Sequence, residues 1–214
     1  MMVNRLIFEG PDDKHVVVNL LYNHDLNGER LSASYNIDEK KQLVVKNGID
    51  NLIDTLDEEL QATDLCSLGV VLDADTNIDN QWARITRVLG QHGCRDVPAA
   101  PSASGTIVTT EDGKKIGIWI MPDNQRTGAL EDFVVGMIAA GDELWPKAQA
   151  DVIAIEEDKR RFRPTYLTKA QVHTWLAWQE EPGTRMGETF KKRYLDPHAP
   201  LASTFVSWIK RLLS

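Results

Sequence analysis

Cysteine is almost absent. The 214 residues hold only Cys66 and Cys94, which excludes a disulfide framework, and their spacing suits no zinc site. Both are expected as buried thiols rather than ligands. No apolar run approaches the length of a membrane span. The first ten residues lack a basic stretch followed by a long apolar segment and a small-residue cleavage site, so no signal peptide is expected and a cytoplasmic setting follows. Basic charge is in deficit: 24 Lys and Arg against 32 Asp and Glu give a net charge of −8. That excludes a general nucleic-acid coat protein. It does not exclude an enzyme that meets nucleic acid through metal ions and local basic patches. Gly-x-Ser-x-Gly and Walker-type Gly-x₄-Gly-Lys-Ser/Thr signatures are missing, which removes serine-hydrolase and P-loop readings. His15, His24, His92, His173 and His198 have no metal-ligand spacing.

What is present is an alternation of short apolar runs and helical segments. Residues 5–8 (RLIF) read as a buried strand ending at Glu9-Gly10. Pro11 suits the first position of a helix to about Asn23, and Asp12 and Asp13 suit its positive end. Strands are expected at 43–45 and 68–72, each followed by a helix, at 49–60 and 80–91. The 68–72 run (LGVVL) is apolar throughout, as for a strand covered on both faces. Residues 98–105 (PAAPSASG) are a loop, and 106–110 with 115–121 suggest a hairpin around Asp112-Gly113. A helix is expected over 129–140, stopped by Gly141. This pattern predicts an α/β fold with a mostly parallel sheet flanked by helices. The expected division is an α/β core over 1–141 and a helical extension over 142–214 packed on it. In the extension, Thr168 and Gln171 fit a capping box. Leu201, Phe205, Trp208, Ile209 and Leu212 mark one face of a last helix. Five of the six tryptophans lie between Trp119 and Trp208, which predicts an aromatic seam between the layers.

Ligands of open parallel sheets bind beyond the carboxyl ends of the strands. Two such ends are acidic here: Glu9, and Asp73-Ala74-Asp75. If both strands lie near the middle of the sheet, three carboxylates converge, which is costly without a cation between them. Mg²⁺ or Mn²⁺ is the natural choice for oxygen ligands. Asp13, one turn into the first helix, reaches toward the same crevice. Asp123 and Glu131, in the segment MPDNQRTGALEDF, are further candidate metal-binding acids, with Glu131 favoured. Gly128 permits a tight approach there. Each of these acids also has a plain reading as a solvated strand-end or helix-end residue, and Asp12 is assigned to it. Two basic runs, Lys159, Arg160, Arg161 with Arg163, and Lys191, Lys192 with Arg193, suit either a solvated face or phosphate contacts.

The stretches EGPDDKHVV, VVLDAD and GIWIMPDNQRTGALEDF resemble Toprim-type domains. The resemblance is to an uncharacterised Toprim-like group (domain of unknown function 3226). More distantly, the chain is similar to the nuclease domain of the overcoming-lysogenization-defect (OLD) family. It covers about 6–133, and WLAWQEEPGTRMG with FVSWIKRLL resembles the tail of the uncharacterised group. The resemblance implies a Toprim-like sheet with catalytic Glu9, Asp73 and Asp75, with Asp13 in the Glu-Gly-x-x-Asp pattern and Glu131 as a later acid. It also implies a downstream lysine. Lys159 and Lys169 are candidates for it, and neither enters the catalytic set. The activity so implied is metal-dependent phosphodiester cleavage, with one metal activating water and another stabilising the leaving oxygen at roughly 4 Å separation. The expected partners are nucleic acid and a separate ATPase, in a phage-defence setting. Self-association is left open, and no membrane is involved. The alternatives are a non-catalytic Toprim-like binding module and a nucleotide-sugar transferase using the Asp-x-Asp. A haloacid-dehalogenase reading ranks low because Thr76 comes one residue too early.

Overall fold

The structure, a computed structural model, describes residues 2–214. Four apolar runs become parallel neighbours. β1 (Val3–Phe8) is followed by α1 (Pro11–Asn23), α2 (Gly28–Tyr35) and α3 (Glu39–Gln42), then β2 (Leu43–Val45) and α4 (Ile49–Gln61). β3 (Leu65–Asp73) leads to α5 (Ile78–Gln91), and β4 (Thr106–Thr109) turns back into β5 (Lys115–Met121). The sheet order is β2-β1-β3-β5-β4, with only the β4–β5 pair antiparallel. The expected mixed α/β architecture, a mostly parallel sheet flanked by helices, is the one found.

Side-chain alternation sends the strands' two faces into two cores. Leu6, Phe8, Val71, Trp119 and Met121 face α1, α6 (Leu130–Val135), α8 (Leu167–Ala177) and α9 (Pro200–Leu213). Ile7, Val70, Leu72, Ile118 and Ile120 face α4 and α5. α9 lies close on the first face because Gly69 and Gly117, paired across β3 and β5, leave room for it. A Cβ at Gly117 would stand 2.7 Å from the Leu212 side chain. The expected aromatic seam forms there: Trp119 packs on Phe205 and Trp208 at ring separations of 5.0 and 5.6 Å. The Trp208 indole N–H donates to the Thr106 carbonyl at 3.2 Å.

Several local expectations are corrected. The 129–140 helix ends after Val135. Gly136 closes it, and Ile138 instead bridges to Leu195, so the chain is drawn out of helical geometry by a tertiary pairing. Thr168 is not a cap: α8 starts at Leu167 behind a short 3-10 turn, Pro164–Tyr166, with no side-chain cap. Cys66 is exposed rather than buried, because it lies near the start of β3, before the strand becomes covered on both faces. α2 and α3 were not anticipated, although Asn27 and Asp38 each cap one by accepting backbone N–H bonds from Arg30 and Lys40. α7 (Leu144–Ile153) completes the helices, and none of the described helices is long and apolar enough to cross a membrane.

Candidate functional site

β1 and β3 are adjacent and parallel, so their carboxyl ends deliver Glu9 and Asp73 side by side. The Glu9 backbone N–H donates to Val71 at 3.1 Å and holds the two ends level. The Glu9 carboxylate accepts the Asp73 backbone N–H at 3.2 Å. Asp13 joins them because Pro11 starts α1 directly after the turn at Gly10, which places Asp13 in the helix's first turn, buried at 6% exposure. From the other side, Glu131 enters in the first turn of α6 and is equally buried.

Asp75 is held by backbone geometry. It sits in the left-handed region at φ 52°. Its N–H donates to Gly128 at 2.8 Å, and the Gly128 N–H returns a bond to its carbonyl at 2.9 Å. This clamp ties the loop after β3 to the loop after β5. Gly128 has φ 140°, and a Cβ there would lie 2.7 Å from an Asp132 carboxylate oxygen. That carboxylate accepts the Ala129 N–H at 2.9 Å at the start of α6. Gly128→Ala is therefore expected to destabilise the protein by about 1–3 kcal/mol. The denaturant midpoint measures this, and an unchanged midpoint would show that the clamp is not strained by a side chain.

The electrostatics are those of crowded acids. Burial, then the negative charges of Asp13, Glu9, Glu131 and Asp75, push Asp73 from 3.8 up to about 9. Burial, then Glu9, push Asp13 up to about 7, against the pull of the backbone N–H groups at Asp13 and Gly10. Burial also raises Glu9, with Asp75 adding to it and the Asp73 N–H opposing it. One oxygen of Asp13 and one of Asp73 are buried without a hydrogen-bond partner. Orphaned buried carboxylate oxygens are costly unless a cation or proton satisfies them.

A groove of about 770 Å³ opens beside Asp73 and Asp75 and is walled by Glu131, Tyr166, Thr168 and Lys169. A smaller hollow of about 210 Å³ joins Asp13, Asp73 and Glu131 to Lys169. Lys169 is the residue that sequence reasoning left unplaced. Its ammonium pairs with Glu131 at 2.8 Å, and that contact raises its pKa. No local signal distinguished it from Lys159, which pairs with Glu156 on an exposed segment. The structure thus brings Glu9, Asp13, Asp73, Asp75 and Glu131 into one neighbourhood. Asp123 is not among them. It caps the turn after β5, accepting from Gln125, Arg126 and the Arg126 guanidinium. Burial alone would raise Asp123, but these bonds hold it below its ordinary value.

Among the described residues, no three His, Cys, Asp or Glu side chains stand ready as a complete ligand set. Mg²⁺ does not require one, because it is usually held by one or two carboxylates, with waters and substrate phosphates completing its shell. The two orphaned oxygens, on Asp13 and Asp73, fit such a cation.

Comparison with known proteins returns one family. A family described as "Protein of unknown function (DUF3226)" matches residues 3–214. No curated protein and no solved structure matches the chain. A match over nearly the whole length shows that this chain belongs to the DUF3226 family.

Proposed function

We propose that this protein is a Toprim-like, Mg²⁺- or Mn²⁺-dependent nuclease that cleaves phosphodiester bonds of nucleic acid. The observation that carries this reading is the meeting of Glu9 and Asp73 on adjacent parallel strand ends, with buried Asp13 and orphaned oxygens on Asp13 and Asp73. Asp13 and Asp73 would hold the metal, with waters and substrate phosphate completing its shell, and Asp75 and Glu131 would support it from the loop after β3 and the first turn of α6. Divalent cations bound there would supply a lowered pKa for an attacking water and charge neutralisation at the leaving oxygen. Glu9 accepts the proton of the nucleophile or orients it. Lys169, on the groove wall beside Glu131, meets the substrate phosphate. The similarity of EGPDDKHVV and VVLDAD to Toprim and OLD sequences supports the same assignment. A separate ATPase partner and a role in phage defence belong to this proposal.

Purified protein incubated with plasmid, single-stranded DNA and RNA, with Mg²⁺ or Mn²⁺, tests it. Metal-dependent cleavage is the expected result. No cleavage of any substrate, alone or with a neighbouring ATPase, overturns it. Lys169→Ala is expected to lower kcat/KM by about tenfold, as for one lost charge-assisted phosphate contact, and Lys169→Arg to recover part of it. Equal activity in Lys169→Ala would remove the lysine from the site.

One observation favours a second reading. The groove beside Asp73 and Asp75 has the volume of a small-ligand site, which suits a nucleotide-sugar transferase. That chemistry has no use for Glu9, so the Glu9 variant separates the two.

A further inference from the structure

We infer that the groove receives a single-stranded polynucleotide, with a base stacked on Tyr166 and flanking phosphates on Arg161 and Arg163. The inference rests on the nuclease reading of the acidic site and deepens it by naming the form of the substrate. Tyr166 is a large aromatic left 49% exposed. It lines the same groove as Asp73 and Asp75. The Tyr166 backbone N–H donates to the Arg163 carbonyl at 2.8 Å, so ring and arginine share one tight turn.

The basic run leading into that turn is not uniformly solvated charge. Lys159 is paired with Glu156 at 2.6 Å. The Arg160 guanidinium is consumed by the carbonyls of Ile155 and Ile153, at 2.8 and 2.7 Å. Arg161 and Arg163 are exposed and make no ion pair among the described residues. Two unpaired guanidiniums therefore lead into the turn that carries the exposed ring. Their charge is opposite to that of the acids deeper in the groove.

An exposed ring on a groove wall selects for an unstacked base. In a duplex each base is already covered on both faces, so only a single strand, a flap or an end offers a free face to Tyr166. At about 770 Å³ the groove has the volume of a small-ligand cleft. Stacking is tolerant of base identity, and backbone contacts to arginine are tolerant of sugar. The shared chemistry is thus a single-stranded polynucleotide, DNA or RNA.

Fluorescence anisotropy of the full chain, in Ca²⁺ in place of Mg²⁺, tests the inference. The probes are fluorescein-labelled oligothymidylate, oligouridylate and a hairpin duplex. The expected result is binding to one or both single strands at least about tenfold tighter than to the duplex, with the two single-strand arms telling DNA from RNA. Tyr166→Ala should weaken single-strand binding by about tenfold and leave duplex binding unchanged, while Tyr166→Phe retains wild-type affinity. An Arg161→Gln, Arg163→Gln double variant should reduce the salt dependence of binding. Duplex binding as tight as single-strand binding, no binding to any probe, or an unaltered Tyr166→Ala overturns the inference. Metal-dependent cleavage of duplex plasmid with unaltered Tyr166→Ala would sink this inference and leave the nuclease reading standing. Tyrosine-dependent single-strand binding without cleavage in Mg²⁺ or Mn²⁺ would do the reverse.

Discussion

The metal-free Asp73→Asn protein is expected to melt roughly 4–8 °C above wild type at pH 8 and to lose the stabilisation that Mg²⁺ gives the wild type. Asp73 is the most strained of the acids, pushed from 3.8 to about 9 by burial and by four neighbouring carboxylates. Its folded-state pKa is raised, so the folded chain holds a proton that the unfolded chain has released. Stability from this group is fully present below its unfolded pKa of 3.8 and is lost as pH rises towards 9. Asp13, raised to about 7, adds the same sign over a shorter window. A tenfold difference in proton affinity between the folded and unfolded chain corresponds to about 1.4 kcal/mol. An amide at position 73 removes the ionisation cost, but it leaves a buried N–H without a partner, a penalty of about 1–3 kcal/mol. The ionisation cost at pH 8 exceeds that penalty, and a surplus of only about 2 kcal/mol is enough for the stated rise in Tm for a chain of this size.

The pH dependence separates this cause from a packing effect. The gain should shrink as pH is lowered towards 3, where the carboxyl is protonated in the folded chain and largely so in the unfolded one. A gain independent of pH would contradict the charge argument. The metal arm is independent of activity. Mg²⁺ at about a hundred times its Kd stabilises by about 2.7 kcal/mol, which raises the wild-type Tm, and raises it more at pH 8 than at pH 5 because bound cations displace the site's protons. A wild-type Tm indifferent to Mg²⁺ and Mn²⁺ would remove the metal from the proposal.

The second large effect is on chemistry. Glu9→Gln is expected to lower kcat for metal-dependent cleavage by at least about 10²-fold with the fold intact. Glutamine keeps an oxygen to accept the Asp73 N–H that Glu9 now accepts at 3.2 Å, so the strand ends stay registered. What it loses is the charge and the basicity, and a positioned general base contributes typically about 10²–10⁴-fold. Steady-state cleavage with circular dichroism on the same samples checks both halves. Unchanged cleavage in Glu9→Gln would remove Glu9 from the Toprim-type mechanism, and metal binding without cleavage in both proteins would favour the transferase reading, which relies on Asp73 and Asp75 alone.

Much of this site is legible in the amino-acid sequence. Glu9 and Asp73 can be placed because apolar runs mark strands, and acids ending two such runs must emerge on one edge if the strands are parallel. The approach of Asp13 follows from Pro11 starting a helix. Asp123 has the same local credentials and goes elsewhere, since Arg126, three residues on, claims its carboxylate. Lys169 has no credentials in its own neighbourhood. It reaches Glu131 only because α8 packs against α6, a contact between distant segments. The same kind of contact shortens the helix expected over 129–140, where Ile138 pairs with Leu195.

The sequence alone determined the strands, the helices that follow them and the acids at their ends, because hydrophobic period, proline and strand-end chemistry are local properties. Only the tertiary structure decided which acids share a neighbourhood. Burial and mutual repulsion depend on strand order, and order places β1 beside β3 with α6 and α8 across the crevice. The raised pKa values of Glu9, Asp13 and Asp73, and the lysine that faces them, arise from that juxtaposition and from no residue taken singly.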